Sequence, residues 1–362
     1  MNVSPFYVTI ILLNIKQILG YESLFGALIL LFWLFISPYF DTGVIMDAYA
    51  ERNTLKFSTR LVYDELKLQS THARIVDAKN SLLEFKDTKG IVHYIFSTCS
   101  DKSSATGLLI ARNKNRTAKI ASELGIPIPH ATQCKNDDEA IAFLQLHQRI
   151  VIKPIDNKGG VGVSTNIRSK TELKKAYTYA RIQSNEVIAQ QHLPGKDLRL
   201  LVVGGAFVSA VIRTPATITG NGIHTISQLI TTENNSGTRD NEKITSLMSI
   251  NIPAAKRFLS QKINDIPKRN VVVQVVGPAN VSLGGGLIEA THLVPNIMKA
   301  HAEIITKRLG LGICGVDIIW DDESNTYGLI EVNAVPGIDI HDDPLSGTSC
   351  GAAKLYVEWL MK

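Results

Sequence analysis

Two periods organise the apolar residues of this chain. Short runs of strand length sit at Arg74-Ile75-Val76, Ser81 to Phe85, Ile91 to Phe96, Ile150-Val151-Ile152, Val187 to Gln191 and Val271 to Val276, parted by turn residues. Asp197 to Val203 and Ala206 to Arg213 flank Gly204-Gly205, which predicts a type I′ hairpin. Ile313 to Trp320 and Tyr327 to Val332 flank the turn Asp321 to Asn325, which predicts a second antiparallel pair. Helical spacing covers 58–70, with Leu61, Leu66 and Leu68 as apolar markers, then 108–124, 137–146 and 170–184. It returns at 225–232, 254–263, 295–309 and 351–361. Asn234 to Glu242 is polar and predicts a mobile loop. There is no internal repeat and no low-complexity tract.

The N-terminal stretch breaks this pattern. Ser23 to Phe40 carries no charge and is just long enough to span a bilayer. A signal peptide fits poorly, because the basic start is weak and no small-residue cleavage site follows. Three readings stay open: a membrane anchor, a helix packed on a partner, or an upstream extension with translation starting at Met46. If the segment spans, Arg52, Lys56, Arg60 and Lys67 outweigh Lys16, which leaves the body in the cytoplasm.

A length of 362 residues allows two or three domains, and 45% apolar content is ordinary for a globular chain. A net charge of +5 with no dense basic run argues against a nucleic-acid partner. Cys99, Cys134, Cys314 and Cys350 are far apart, have no metal spacing, and read as reduced thiols of an intracellular protein.

The densest chemical signal follows the run Ile150-Val151-Ile152. Lys153-Pro154 ends it, and Asp156 to Ser164 holds Gly159, Gly160 and Gly162. Glycines permit positive φ and close backbone approach, and successive N–H groups in such a loop make a concave anion site. Lys153 adds a positive charge, so a nucleotide phosphate is the natural guest. The spacing is neither the Walker pattern nor the dinucleotide turn. A plain hairpin turn with a surface lysine is the alternative.

A second signal lies in the last two strands. Asp317 interrupts an apolar run, and Glu331 and Asn333 stand two apart, hence on one sheet face. Three converging oxygen donors suit a hard cation such as Mg²⁺, whereas isolated buried acids would be costly. The alternative places Asp317 and Glu331 on an exposed edge.

Taken together, these motifs resemble the ATP-grasp superfamily. Gly195 to Gly205, Arg213 to Pro215, Gly220 to Ile226, Gly312 to Asp317 and Glu331 to Gly337 look like the ATP-grasp domain of cyanophycin synthetase. The ligase half of bifunctional glutathione synthetase is similar too. The resemblance runs from about Lys56 to the C-terminus. It implies an α/β (α+β) ATP-grasp fold, two α+β subdomains gripping the nucleotide. The expected divisions are 1–45 for the hydrophobic segment, 46–110 for a small α/β domain, 111–190 for the small subdomain and 191–362 for the large one.

The resemblance also implies roles. Lys114 and Lys153 would bind phosphates, Gly159, Gly160 and Gly162 would close over them, and Gln190 would accept from the adenine amino group where relatives usually carry Glu. Asp197 would meet the ribose or serve structure alone. Asp317, Glu331 and Asn333 would hold one or two Mg²⁺ ions, with Mn²⁺ as a substitute. The implied chemistry is ATP-dependent carboxylate–amine ligation through an acylphosphate, releasing ADP and phosphate. Arg213 would stabilise its anionic species, or be a surface strand residue. Asn280 and Ser282 match part of a loop near the acylphosphate. No general base is legible.

That loop departs from the family pattern: Val276, Gly277 and Pro278 stand where arginine usually begins it, and Leu283 replaces Thr. The substrates are therefore open, as amino acids or small peptides. Glutathione-synthetase-like addition of glycine is one alternative, and a non-catalytic ATP-binding regulatory module is another. Relatives commonly form dimers or tetramers, so a homo-oligomer is expected.

Overall fold

The computed structural model describes residues 50–69, 72–155, 161–236, 239, 248–277, 279, 281–342 and 347–362. The chain divides into two units, Met1–Leu55 and Lys56–Lys362. Of the first, residues 50–55 are described, and 50–54 are helical. The apolar segment Ser23 to Phe40 lies outside the described residues, as do Met46, Gly159, Gly160 and Asn280. Among the described residues no helix is long and apolar enough to cross a membrane.

The second unit opens with helix α1 (Phe57–Gln69) and a meander, β1 (Arg74–Asp77), β2 (Leu82–Lys86), β3 (Val92–Phe96) and β4 (Cys99–Ser100), paired in chain order. Val62 and Leu66 of α1 share one helical face and are fully buried. Leu68 falls on the opposite face and is 81% exposed, so it is not the core marker the spacing suggests. This small domain holds the C-terminal part of the chain. The Thr98 hydroxyl donates to the Pro336 carbonyl at 2.7 Å, and the Ile338 amide donates to Ser58 Oγ at 3.0 Å.

A five-stranded sheet of order β13-β10-β9-β14-β15 is the main scaffold. Its strands are β9 (Lys196–Val203), β10 (Ala206–Thr214), β13 (Gly286–Glu289), β14 (Ile313–Asp321) and β15 (Thr326–Asn333). All of its pairings are antiparallel, which makes the architecture α+β. Gly204 and Gly205 take φ of +58° and +78°, as the predicted I′ turn requires. One face carries Leu198, Leu200, Val202, Ile212, Val316 and Ile318. Against it pack Met298, Ala302, Ile305 and Leu309 of helix α8 (Asn296–Leu309). Each such side chain contributes about 1.5–3 kcal/mol by leaving water. The opposite face is free to carry charge.

The expected helix over 108–124 is two helices, α2 (Ala105–Ala111) and α3 (Lys114–Glu123). Asn113 separates them because its side chain accepts from the Arg116 amide, an N-cap that starts a new helix. Lys114 is thereby the first residue of α3.

The second sheet, order β5-β8-β6-β7, consists of β5 (Ala131–Cys134), β6 (Ile150–Pro154), β7 (Ser164–Ile167) and β8 (Val187–Gln191). Helices α4 (Asp137–His147) and α5 (Lys170–Gln183) pack on it through Leu144, Leu173 and Ala180. Strands β5 and β7 carry no apolar alternation, which hides them in the sequence; pairing with β8 and β6 makes them strands.

Between the hairpin and β13 lie β11 (Thr217–Thr219), helices α6 (Ile226–Asn234) and α7 (Ile252–Leu259), and β12 (Val272–Gln274). The helix expected over 254–263 ends at Ser260, whose φ is +53°. Of the region expected to be mobile, residues 234–236 and Arg239 are described: Asn234 ends α6, and Arg239 is buried and donates to Glu233 and to the Met248 and Gly284 carbonyls. The chain closes with the short α9 (Asp339–Asp342) and α10 (Ala352–Leu360).

Gly195, at φ +116°, turns the chain into β9, and a Cβ there would lie 2.2 Å from the Trp320 carbonyl oxygen. Gly195→Ala should therefore cost about 2–4 kcal/mol in urea denaturation. An unchanged midpoint would show that this turn is not under the constraint described.

Candidate active site

The face of the large sheet opposite α8 carries a row of charges. Asp197 and Arg199 of β9 share that face because they are two apart. Arg213 pairs with Asp197 across β10 and β9, and Asp317 pairs with Arg199 across β14 and β9. Glu331 stands opposite Asp317, and Asn333 opposite Gly315. Two β-bulges set this arrangement, between Phe207 and Ser209 and between Asp317 and Ile318. Each shifts the register that the neighbouring turn would impose by one residue. Arg213 thereby comes opposite Asp197, and Glu331 opposite Asp317.

The contacts on this face are short. Arg213 donates through Nε at 3.0 Å and Nη2 at 2.5 Å to Asp197 Oδ1, and its Nη2 lies 3.2 Å from Asp317 Oδ2. Arg199 donates through Nε to Asp317 Oδ1 and through Nη2 to Oδ2, the latter at 3.2 Å. Asn333 Nδ2 is 3.4 Å from the same Oδ2. Asp317 is only 6% exposed. Burial alone would raise its pKa, but the Arg199 and Arg213 guanidiniums outweigh burial and hold it below the usual carboxylate range. Asp197 shifts upward instead, because burial and the nearby Asp317 charge exceed what Arg213 returns.

Beside this row opens a cleft between the two sheets, lined by Lys114, Ile128, Lys153, Ile188, Gln190 and Leu329. Lys153 comes from β6 and is 6% exposed. Its ammonium donates to Gln190 Oε1 at 2.6 Å from the adjacent strand β8. The Gln190 carbonyl, which the family pattern assigns to adenine, is thus engaged by Lys153, because a buried ammonium needs an acceptor. Burial, then the Lys114 charge, pull Lys153 down to about 7, against the opposing pull of Glu331. A neutral amide in place of a carboxylate at Gln190 leaves that shift uncompensated. Lys114 Nζ lies 3.6 Å from Glu331 Oε2 and joins the cleft to the charged row.

The structure therefore brings Lys114, Lys153 and Gln190 into one cleft, and Asp197, Arg213, Asp317, Glu331 and Asn333 onto one face. Gly162 follows β6 at φ +78°, where a Cβ would meet Pro154 and Gln183 side chains at 3.0 Å. Ser282 lies at the surface in a single 3₁₀ turn, Val281–Leu283. Val281 there packs on Val211, Leu287 and Ile340. Among the described residues no three His, Cys, Asp or Glu side chains group as metal ligands; the oxygen set here is two carboxylates and an amide.

Two participants escape sequence reading. Arg199 was visible only as part of a motif, although its spacing from Asp197 puts it on the charged face. His341 of α9 is 1% exposed, with Nδ1 2.8 Å from Ser209 Oγ of β10 and, among the described residues, no partner for Nε2. Burial first, then Arg199, push its pKa down to about 3.

Comparison with known proteins supplies a family for this geometry. Residues 120–244 match the family model described as the ATP-grasp domain of prokaryotic glutathione synthetase. A cyanophycin synthetase from Trichormus variabilis is 31% identical over 276 residues, covering 73% of this chain and 30% of that protein. The glutathione biosynthesis bifunctional protein GshAB of Mannheimia succiniciproducens is 26% identical over 314 residues, 82% of this chain and 41% of that protein. The crystal structure of a bifunctional glutathione synthetase from Pasteurella multocida superposes with a TM-score of 0.63 at 24% identity, over 85% of this chain and 44% of that one. This chain thus spans less than half the length of each of these relatives.

Removing Arg199 should leave Asp317 buried with part of its charge uncompensated. Arg199→Ala is expected to lose about 3–5 kcal/mol of stability at neutral pH by urea denaturation. Because the Asp317 pKa is depressed on folding, its stabilisation is complete above the unfolded value of about 4 and is lost as pH falls through the folded one. The gap between wild type and variant should be widest near pH 7 and narrow as falling pH protonates first the poorly compensated Asp317 of the variant and then the paired Asp317 of the wild type. A gap under about 1 kcal/mol at pH 7 would assign the pair no structural weight.

Proposed function

From the ATP-grasp domain as premise, we propose that this chain is an ATP-dependent carboxylate–amine ligase acting on amino acids or small peptides. The observation that carries the reading is the junction at Lys114. This lysine lines the cleft with Lys153 and Gln190 and also contacts Glu331 of the charged row. A nucleotide in the cleft would direct its phosphates toward Lys114 and Lys153, and toward the oxygens of Asp317, Glu331 and Asn333.

Those oxygens fit a hard divalent cation, Mg²⁺ or Mn²⁺. Such a cation, when bound with ATP, supplies charge neutralisation across the phosphates. The chain's own groups do the rest. Lys114 and Lys153 donate to phosphate oxygens, and each charge-assisted contact is worth about 1.5–3 kcal/mol. A substrate carboxylate oxygen attacks the γ-phosphorus, and ADP leaves. The amine nitrogen then attacks the acyl carbon, inorganic phosphate departs with the bonding pair, and the nitrogen sheds its extra proton. Arg213, anchored by Asp197 and Asp317, presents fixed positive charge to the anionic species on this path. Asp197 is more consistent with holding Arg213 than with touching a ribose. Ser282, with Asn280, belongs to the loop that would border the acyl group.

ADP release measured with pooled amino acids and dipeptides tests the activity. A particular carboxylate–amine pair should stimulate it, and Glu331→Ala should reduce the stimulated rate by about 10²-fold or more while the protein stays folded. ATP binding without turnover under every pair would instead support a nucleotide-binding module.

Lys153 gives a second test. At a pKa of about 7 it is largely neutral at pH 8, and a bound phosphate favours its charged form. Nucleotide binding should therefore take up part of a proton at pH 8 and almost none near pH 5.5, where the lysine is already charged. Calorimetry in buffers of different ionisation enthalpy measures this uptake. Gln190→Glu should suppress it by keeping Lys153 protonated beforehand; equal uptake in both proteins would place the proton elsewhere.

A further inference from the structure

A second charged constellation lies off the row on the large sheet, just beyond the end of α6. Arg239 is 9% exposed, and an arginine so far from water needs partners for its N–H groups. Its Nε donates to Glu233 Oε1 at 3.1 Å. Its Nη1 alone donates to two carbonyls, Met248 at 3.0 Å and Gly284 at 2.8 Å. Those carbonyls belong to segments far apart in the chain, so one nitrogen ties residue 248 to residue 284. Asn234, the last residue of α6, holds the first of these segments as well. Its side chain accepts from the Ile250 amide at 2.8 Å and donates to the Ile250 carbonyl at 3.0 Å.

Gly284 closes the turn that carries Ser282. Its amide donates to the Val281 carbonyl at 2.9 Å, its φ is +91°, and a Cβ there would lie 2.6 Å from Ile250 Cα. The Asn251 amide adds a bond to the Leu283 carbonyl at 3.3 Å. The other end of the turn meets the charged face of the large sheet. Val281 packs on Val211, which stands two residues from Arg213 on β10 and opposite Arg199 of β9. Strand β13 starts at Gly286, and its Leu287 pairs with Arg213. The turn thus has Arg239 bonded at one end and Val211 packed at the other.

We propose that Arg239 is a positioning residue for the substrate side of the site: it sets where the turn Val281–Gly284 lies against the strand of Arg213, and so how well a carboxylate–amine pair fits. The inference rests on the ligase reading of the preceding subsection, which puts Ser282 beside the acyl group. Arg239 acts through the turn, because its Nε and Nη1 are committed to protein oxygens. Lys153 and Gln190 stand on the other sheet, and Glu233, Met248 and Gly284 do not, so nucleotide affinity is independent of this contact. Without Nη1, the Met248 and Gly284 carbonyls lose the donor they share, and the turn keeps only its weaker backbone ties to residues 250 and 251.

Hydrogen exchange of the whole protein, read by mass spectrometry, tests the hold on the turn. Arg239→Met keeps an unbranched side chain and removes the donors. It should speed exchange over residues 281–286 about ten-fold or more, with residues 150–154 and 187–191 unchanged. Unchanged exchange over 281–286 would overturn the proposal, and so would an equal gain over all three stretches, which is general loosening. Kinetics and binding supply the second readout. In Arg239→Met, the concentration of pooled amino acids and dipeptides that gives half-maximal ADP release should rise about ten-fold, while ADP affinity by calorimetry stays within about two-fold. Arg239→Lys should recover most of the loss, since a single ammonium can donate to both carbonyls that Nη1 bridges. A loss that lysine does not relieve, or an equal loss of ADP affinity, contradicts the positioning role. Stimulated release with an unaltered half-saturation in Arg239→Met overturns that role alone. No stimulated release by the unsubstituted protein overturns the ligase reading, and the substrate role of Arg239 with it.

Discussion

The structure depends on mutual neutralisation of charged side chains on one face of a sheet. Arg199, Arg213, Asp197 and Asp317 sit where apolar residues would ordinarily go, and Asp317 is all but sealed from water. Each of these ions alone would cost several kcal/mol to bury. Together they form a chain in which Asp197 holds Arg213, and Arg213 and Arg199 share Asp317. The two β-bulges make this chain geometrically possible. Without them, alternation along β10 and β15 would send Arg213 and Glu331 to the apolar face.

Such a balanced cluster suits a site that handles charged guests. Its net charge is near zero at rest, so it folds without a ligand. It holds two guanidiniums and two carboxylates whose partners are other members of the cluster. A cation or phosphate that enters displaces one such partner instead of meeting a dry apolar wall. Lys153 follows the same logic in the cleft. Among the described residues its close acceptor there is the neutral Gln190 amide, so its charge is weakly supported and readily stabilised by an incoming anion.

The small N-terminal domain of the second unit joins this design through the segment from Pro336 to Asp342. Ser58 and Thr98 tie that segment down, and Tyr356 of α10 donates in turn to the Thr98 carbonyl at 2.8 Å. Pro336 and the Arg199 side chain both lie close to Gly315 of β14. The domain thus anchors the segment that follows β15, next to the strand that carries Asp317.

Several features were determined by the sequence alone. Strand alternation put Glu331 and Asn333 on one face, Gly204-Gly205 required the I′ hairpin, and the glycine-rich motifs resembled the ATP-grasp superfamily, whose fold the structure has. These succeed because they are local: a period of two, a turn needing positive φ, a residue order. The tertiary structure decided what depends on a second strand or a distant loop. The register shifts that bring Arg213 to Asp197 arise from bulges that no composition announces. The break at Asn113 arises from one side chain choosing to cap. The Lys153–Gln190 and Ser209–His341 contacts exist only because residues 37 and 132 positions apart are pressed together away from water. Burial is a property of the packed molecule, and it is burial that turns an ordinary lysine and histidine into groups with altered proton affinity.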